Sequence, residues 1–122
     1  MAKKALLIDD EQSLREVLVE LLKLWGIETI EAEDAVQALE FVEQNDTSFD
    51  LIFIDVNLPN MSGRELYEQL LPKFPAAKFI FMSGYQRDHD LIDLPIRGDF
   101  VYLKKPFRMA ELKSLIDQLL GT

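Results

Sequence analysis

Leu51-Ile52-Phe53-Ile54-Asp55 is the stretch on which the fold turns: four apolar residues run straight into a carboxylate, and Val56-Asn57-Leu58-Pro59-Asn60-Met61-Ser62-Gly63 follows. A strand with one wet face would alternate apolar and polar residues. An unbroken apolar run reads instead as a strand covered on both sides, which is what a parallel sheet between two helix layers requires. A charge at the end of such a run is costly unless it is partnered, so Asp55 calls for a cation whatever its role.

Ala5–Ile8, Lys78–Met82 and Phe100–Leu103 are runs of the same kind, and Ile27–Ile30 is a weaker one. Helical spacing fills the gaps. Leu14, Val17, Leu18, Leu21 and Leu22 form one stripe, with Gly26 as a stop signal. Ala35, Ala38, Leu39 and Val42 form a second, ended by Asn45-Asp46. Ser62 and Glu65 make a capping box ahead of Leu66 and Leu70, and Pro72 closes that segment. Leu112, Leu115, Ile116 and Leu119 form the last stripe, with Gly121 behind it. Tyr85–Gly98 shows little periodicity, so a short, irregular or mobile helix is expected there. Strands alternating with helices predict five βα units joined by right-handed crossovers, a small doubly wound parallel sheet.

A chain of 122 residues suits one domain, 1–122, with one core. Its net charge of −9 opposes direct binding to nucleic acid or to anionic membranes. The absence of cysteine excludes disulfides and thiolate metal sites. The apolar run after Lys3-Lys4 stops at Asp9, too short for a signal peptide or a membrane span, and a cytoplasmic location is expected.

In open α/β sheets, ligands bind outside the carboxyl ends of the strands. The first strand ends in Asp9-Asp10, the third in Asp55, the fourth in Ser83 and the fifth in Lys104-Lys105. The second offers no obvious group. Three converging carboxylates repel one another unless a cation intervenes, and hard oxygen ligands favour Mg²⁺, with Mn²⁺ as an alternative. A carboxylate in such a site is suited to act as a nucleophile toward phosphorus, with a lysine balancing charge and a hydroxyl donating to a phosphoryl oxygen. Taken singly, each residue has a plainer reading. An isolated Asp at a strand end more often caps the next helix, Ser83-Gly84 more often makes a turn, and Lys105 more often lies in solvent. Tyr102 by default packs half-buried on its strand. His89, the only histidine, stands in an acidic polar stretch and has no catalytic role. Trp25, Phe79, Phe81 and Met82 read as core or helix-end packing.

Together, LLIDDE at 6–11, LIFIDVNLPNMSG at 51–63, FIFMSG at 79–84 and VYLKKPF at 101–107 resemble the receiver domain of two-component response regulators over nearly the whole chain. The resemblance implies a flavodoxin-like (βα)5 fold with strand order 2-1-3-4-5. It implies that Asp55 is the phosphoryl acceptor, that Asp10 is a direct Mg²⁺ ligand with Asp9 acting mostly through water, and that Asn57 lends its backbone carbonyl to the metal. Ser83 then follows the phosphoryl group, Lys105 pairs with it, and Tyr102 turns inward on activation. Pro106 is a candidate for a cis bond. Pro59 and Gly63 fit the loop after the acceptor. The implied function is a switch in a phosphorelay. It is no enzyme toward outside substrates, although it catalyses its own phosphoryl transfer and dephosphorylation. The implied partners are a sensor histidine kinase or histidine phosphotransfer protein and a downstream protein, with the chain itself a monomer or weak homodimer. Leu14, Val17 and Leu18 offer a docking surface beside the site. The MSGY run at 82–85 is closer to receivers attached to hybrid sensor kinases than to those fused to DNA-binding domains.

Three other readings compete. A phosphatase of the haloacid-dehalogenase type needs a second Asp two residues after the nucleophile, where this chain has Asn57. A flavin or nucleotide carrier needs a Gly- and Ser-rich first loop, where this chain has Asp9-Asp10-Glu11. A degenerate receiver would bind partners without phosphorylation, but here every key position is filled.

Overall fold

A computed structural model of the chain describes residues 3–84 and 100–121. The helix expected between Tyr85 and Gly98, and His89 with it, lies outside the described residues. The elements are β1 (Lys3–Ile8), α1 (Gln12–Leu24), β2 (Ile27–Ala32), α2 (Ala35–Gln44), β3 (Leu51–Asp55), α3 (Gly63–Leu70), β4 (Lys78–Gly84), β5 (Phe100–Lys105) and α4 (Met109–Leu120). All five strands are parallel and their order is β2-β1-β3-β4-β5. This is the doubly wound sheet that the apolar runs predict.

Successive side chains on a strand point to opposite faces, and that period divides the core in two. Leu6, Ile8, Ile52, Ile54, Phe79 and Phe81 face α2 and α3, whose Ala35, Ala38, Leu66, Tyr67 and Leu70 complete one half. Ala5, Leu7, Leu51, Phe53, Ile80 and Met82 face α1 and α4, which bring Leu18, Leu22, Leu112 and Ile116. Both faces are therefore dry, which is why each central strand carries an unbroken apolar run, Ala5–Ile8, Leu51–Ile54 and Phe79–Met82, between its polar ends. The edge strands differ. β2 buries Ile27 and Ala32 but exposes Glu28 and Glu31, and β5 fully buries only Leu103, so their sequence patterns are correspondingly weaker. Tyr67 anchors an aromatic cluster, with its ring 4.8 Å from Phe79, 5.4 Å from Phe81 and 5.7 Å from Phe100. Burying such rings and packing them edge to face is among the larger contributions to a core of this size.

Local signals set the helix starts. The Asp34 side chain accepts from the Gln37 amide at 2.8 Å, and Ser62 Oγ accepts from the Glu65 amide at 3.1 Å, each satisfying an amide that the first turn leaves open. The first stripe proves wider than the face it buries. Leu18 and Leu22 reach the sheet, Leu14 and Leu21 are half-buried, and Val17 is 56% exposed. The fourth and fifth strands also run further than their apolar residues, so that Ser83 pairs with Lys104 and Gly84 with Lys105 inside the ladder. Backbone pairing continues where side-chain hydrophobicity has already stopped.

Candidate functional site

Because every strand is parallel, all five carboxyl ends open on one rim, and the register sets what meets there. Ile8 lies opposite Ile54, and Asp55 opposite Met82, so the residues just beyond β1 stand beside the end of β3. Asp9 continues past β1 with its amide donating to the Ala32 carbonyl at 3.1 Å, and its side chain is fully buried. Its Oδ1 accepts from the Glu11 amide at 2.8 Å, and its Oδ2 accepts from Lys105 Nζ at 2.7 Å. Asp10 is exposed. The residue that precedes α1 is Glu11, without a side-chain cap bond, so neither Asp9 nor Asp10 is occupied in capping that helix.

Asp55 is buried at the tip of β3. The Asn57 amide donates to its Oδ1 at 3.0 Å, which turns Oδ2 toward Lys105 Nζ at 3.3 Å. Carboxylate oxygens of Asp9, Asp10 and Asp55 all lie within 4.8 Å of one another. Ser83 is buried on β4 beside this group, and Lys105 leads into a cis bond to Pro106. Tyr102, by contrast, is 44% exposed, with its ring edge against Phe100 at 5.7 Å.

The electrostatics follow from this packing. Burial pushes the Asp55 carboxyl up to about 6, and the negative charge of Asp9 adds to the rise, while the Asn57 amide and the Lys105 ammonium work against it. Burial acts to lower Lys105, but its hydrogen bond to Asp9 and the charges of Asp55 and Asp9 outweigh it, so its proton is held more tightly than usual. Lys105 thus brings one positive charge against three carboxylates. That imbalance, the all-oxygen donor set and the solvent-facing Asp10 fit a small hard dication that keeps part of its water shell.

Asp9, Asp10, Asp55, Ser83 and Lys105, each at or just past a strand's carboxyl end, come together on one rim. The second strand, which showed no obvious group in its sequence, contributes through a pair. Arg15 Nε donates to Glu31 Oε1 at 3.2 Å, and its Nη1 donates to the Asp9 carbonyl. No linear signal links two residues sixteen apart on different elements. The expected docking residues divide: Leu14 and Val17 line an apolar groove of about 570 Å³ with Leu21, Pro106, Phe107 and Met109, whereas Leu18 is buried in the core.

A five-stranded doubly wound sheet with an acidic rim at its carboxyl ends defines a flavodoxin-like α/β domain. The profile of the response regulator receiver domain matches residues 5–117, and the chain belongs to that family. It is 36% identical over 94% of its length to the sensor kinase CckA of Brucella abortus, of which it spans 12%, and 32% identical to the response regulator protein FleR of Pseudomonas aeruginosa, of which it spans 24%. It is 26% identical to sporulation initiation phosphotransferase F of Bacillus subtilis over 98% of this chain and 95% of that one. A CheY-like receiver domain protein from Methanospirillum hungatei superposes with a TM-score of 0.87 at 28% identity, covering 99% of this chain and 95% of the other. Another, from Methylobacillus flagellatus, does so with a TM-score of 0.77 at 31% identity, covering 98% and 99%. The chain is therefore a two-component receiver domain, a signalling domain. Among the described residues no helix is long and apolar enough to cross a membrane.

Proposed function

We propose that this domain, acting as a single unit over 1–122, is switched by a phosphoryl group that Asp55 accepts from a phosphohistidine on a sensor kinase or phosphotransfer protein. The observation that carries the reading is the pairing of Asp55 with Lys105 Nζ at 3.3 Å inside a cluster of three carboxylates. Asp9, Asp10, Asp55 and the backbone carbonyl of Asn57 would hold Mg²⁺ (or Mn²⁺), which supplies charge neutralisation to the attacking and transferred oxygens. With its carboxyl raised only to about 6, Asp55 is mostly ionised at neutral pH and available as the nucleophile. The Asn57 amide fixes one carboxylate oxygen and leaves the other to attack. As the bond from phosphorus to Asp55 forms, the bond to the histidine nitrogen breaks and the imidazole leaves as the donor's own side chain. Lys105, held protonated by Asp9 and Asp55, turns to the new negative charge, and the Ser83 hydroxyl donates to a phosphoryl oxygen. Lacking a second carboxylate at position 57, the site has no general acid for outside phosphoesters, so it turns over only its own phosphoryl group.

Intact-mass spectrometry after incubation with acetyl phosphate and Mg²⁺ tests this directly. One added phosphoryl group is expected, absent when a chelator is present. No adduct, together with no binding of a beryllofluoride mimic, would overturn the reading in favour of a receiver that works by binding alone.

The switch then runs from Ser83 to β5. Movement of the Ser83 hydroxyl toward the phosphoryl group vacates space beside it, and Tyr102, exposed on the edge strand, turns into that space and alters the face offered to a downstream protein. Amide hydrogen exchange across Phe100–Lys105 is expected to slow with the mimic. Identical exchange with and without it would remove this part of the mechanism.

A further inference from the structure

We propose that Arg15, braced by Glu31, is a positioning residue that sets the peptide plane between Asp9 and Asp10 and so aims both carboxylates at Asp55; the inference rests on the metal reading above. The oxygen that Arg15 Nη1 holds belongs to the one peptide joining the two acidic residues. That peptide is planar, so pinning its oxygen fixes the rotation on both sides of it, ψ of Asp9 and φ of Asp10. Asp9 is secured at its other polar atoms by Ala32, Glu11 and Lys105. Asp10 is exposed, so the direction of its side chain follows from the backbone that carries it. The Arg15 bond is thus what carries the order of the buried Asp9 across to Asp10.

Two further features mark the arginine as a latch rather than as a ligand for anions. Its side chain is only 12% exposed, and Nε is committed to Glu31 Oε1 at 3.2 Å, which balances the guanidinium's charge before any outside anion can. A guanidinium presents its donors in a rigid fork, so one arm can grip Glu31 on β2 while the other grips the carbonyl on the β1–α1 loop. An ion pair serving only to tie α1 to β2 would not need the carbonyl as a third partner. This pair links the second strand, through Glu31, to the Asp9 carbonyl.

The test is isothermal titration of Mg²⁺ into the whole chain, for the wild type, Arg15→Ala, Arg15→Lys, Glu31→Gln and Asp10→Asn, with thermal melts in chelator alongside. Arg15→Ala is expected to weaken Mg²⁺ binding about tenfold or more, the scale on which groups that orient ligands act. Arg15→Lys should recover only part of that loss, because one ammonium cannot serve both partners in the fork geometry. Glu31→Gln should weaken binding less than Arg15→Ala while melting close to the wild type, and it carries the test should Arg15→Ala fail to fold. Variants that bind Mg²⁺ as the wild type does, whatever their melting temperatures, would overturn the latch alone. A wild type that binds no Mg²⁺, or an Asp10→Asn variant that binds as well as the wild type, would overturn the metal reading and the latch with it.

Discussion

Asp55→Asn is expected to abolish phosphoryl incorporation and at the same time to raise the stability of the metal-free domain. The first effect should exceed about a thousandfold, since an amide oxygen is no nucleophile toward phosphorus and loss of a nucleophile is felt on that scale. The second comes from the site itself. Burial pushes the folded carboxyl up to about 6, against 3.8 for an aspartate free in water, so the folded state binds this proton more tightly than the unfolded chain does. Ionised Asp55 therefore lowers stability, fully above about pH 6 and not at all below about pH 4. A difference of that size between folded and unfolded chain corresponds to roughly 2–3 kcal/mol. Asparagine fills the same volume, keeps an oxygen for the Asn57 amide and leaves Lys105 to Asp9 alone. In chelator at about pH 7.5 the variant should melt about 6–12 °C above the wild type, and the gap should close as the pH falls toward about 4. Added Mg²⁺ should narrow it too, by stabilising the wild type preferentially. A variant that melts at or below the wild type in chelator at neutral pH would mean that the cost of the acidic cluster lies elsewhere than at Asp55.

Gly63→Ala is expected to damage the site from a position that carries no chemistry. A Cβ at residue 63 would stand 2.8 Å from the Asp55 carbonyl oxygen, 2.8 Å from Val56 Cα and 3.2 Å from Ile54 Cγ2. Two of these three neighbours are backbone, so no flexible side chain can yield. The start of α3 and the end of β3 must move apart, which also strains the Gly63 amide's bond to the Val56 carbonyl. Alanine's better helix propensity returns at most about 1 kcal/mol. Overpacking costs about 1–3 kcal/mol, and more where backbone is the obstacle, so the net effect is destabilising. A net loss of about 2 kcal/mol in a urea melt is expected. The folded fraction should also take phosphate from acetyl phosphate at least about tenfold more slowly, because small displacements of a nucleophile are costly. Gly63→Val should be worse on both counts. Unchanged stability and unchanged phosphorylation in Gly63→Ala would show that α3 can move off β3 without disturbing Asp55.

Much of this molecule was legible as a linear pattern. The apolar runs of β1, β3 and β4 are continuous because those strands are buried on both faces, and that property depends only on which residues are adjacent in the chain. The chemistry was legible for a related reason: in a parallel sheet all carboxyl ends share one rim, so residues that end apolar runs are neighbours in space wherever they fall in sequence. Asp9, Asp10, Asp55, Ser83 and Lys105 could be gathered on that ground, and Ser62 and Glu65 announced the start of α3.

Tertiary packing decided what remained. The choice of Lys105 to bond Asp9 at 2.7 Å more closely than Asp55 at 3.3 Å spans sequence separations of 96 and 50 residues and depends on how β5 docks beside β4. The rise of the Asp55 carboxyl depends on burial, which no residue carries in its own name. The exposure of Val17 and Tyr102 reflects which side of a helix and which edge of the sheet are left uncovered. Arg15 and Glu31 meet only because α1 folds back along β2. Periodicity and strand ends are local properties and can be read from the chain, whereas the hydrogen bonds that tune the rim are long-range and exist only once the layers have packed.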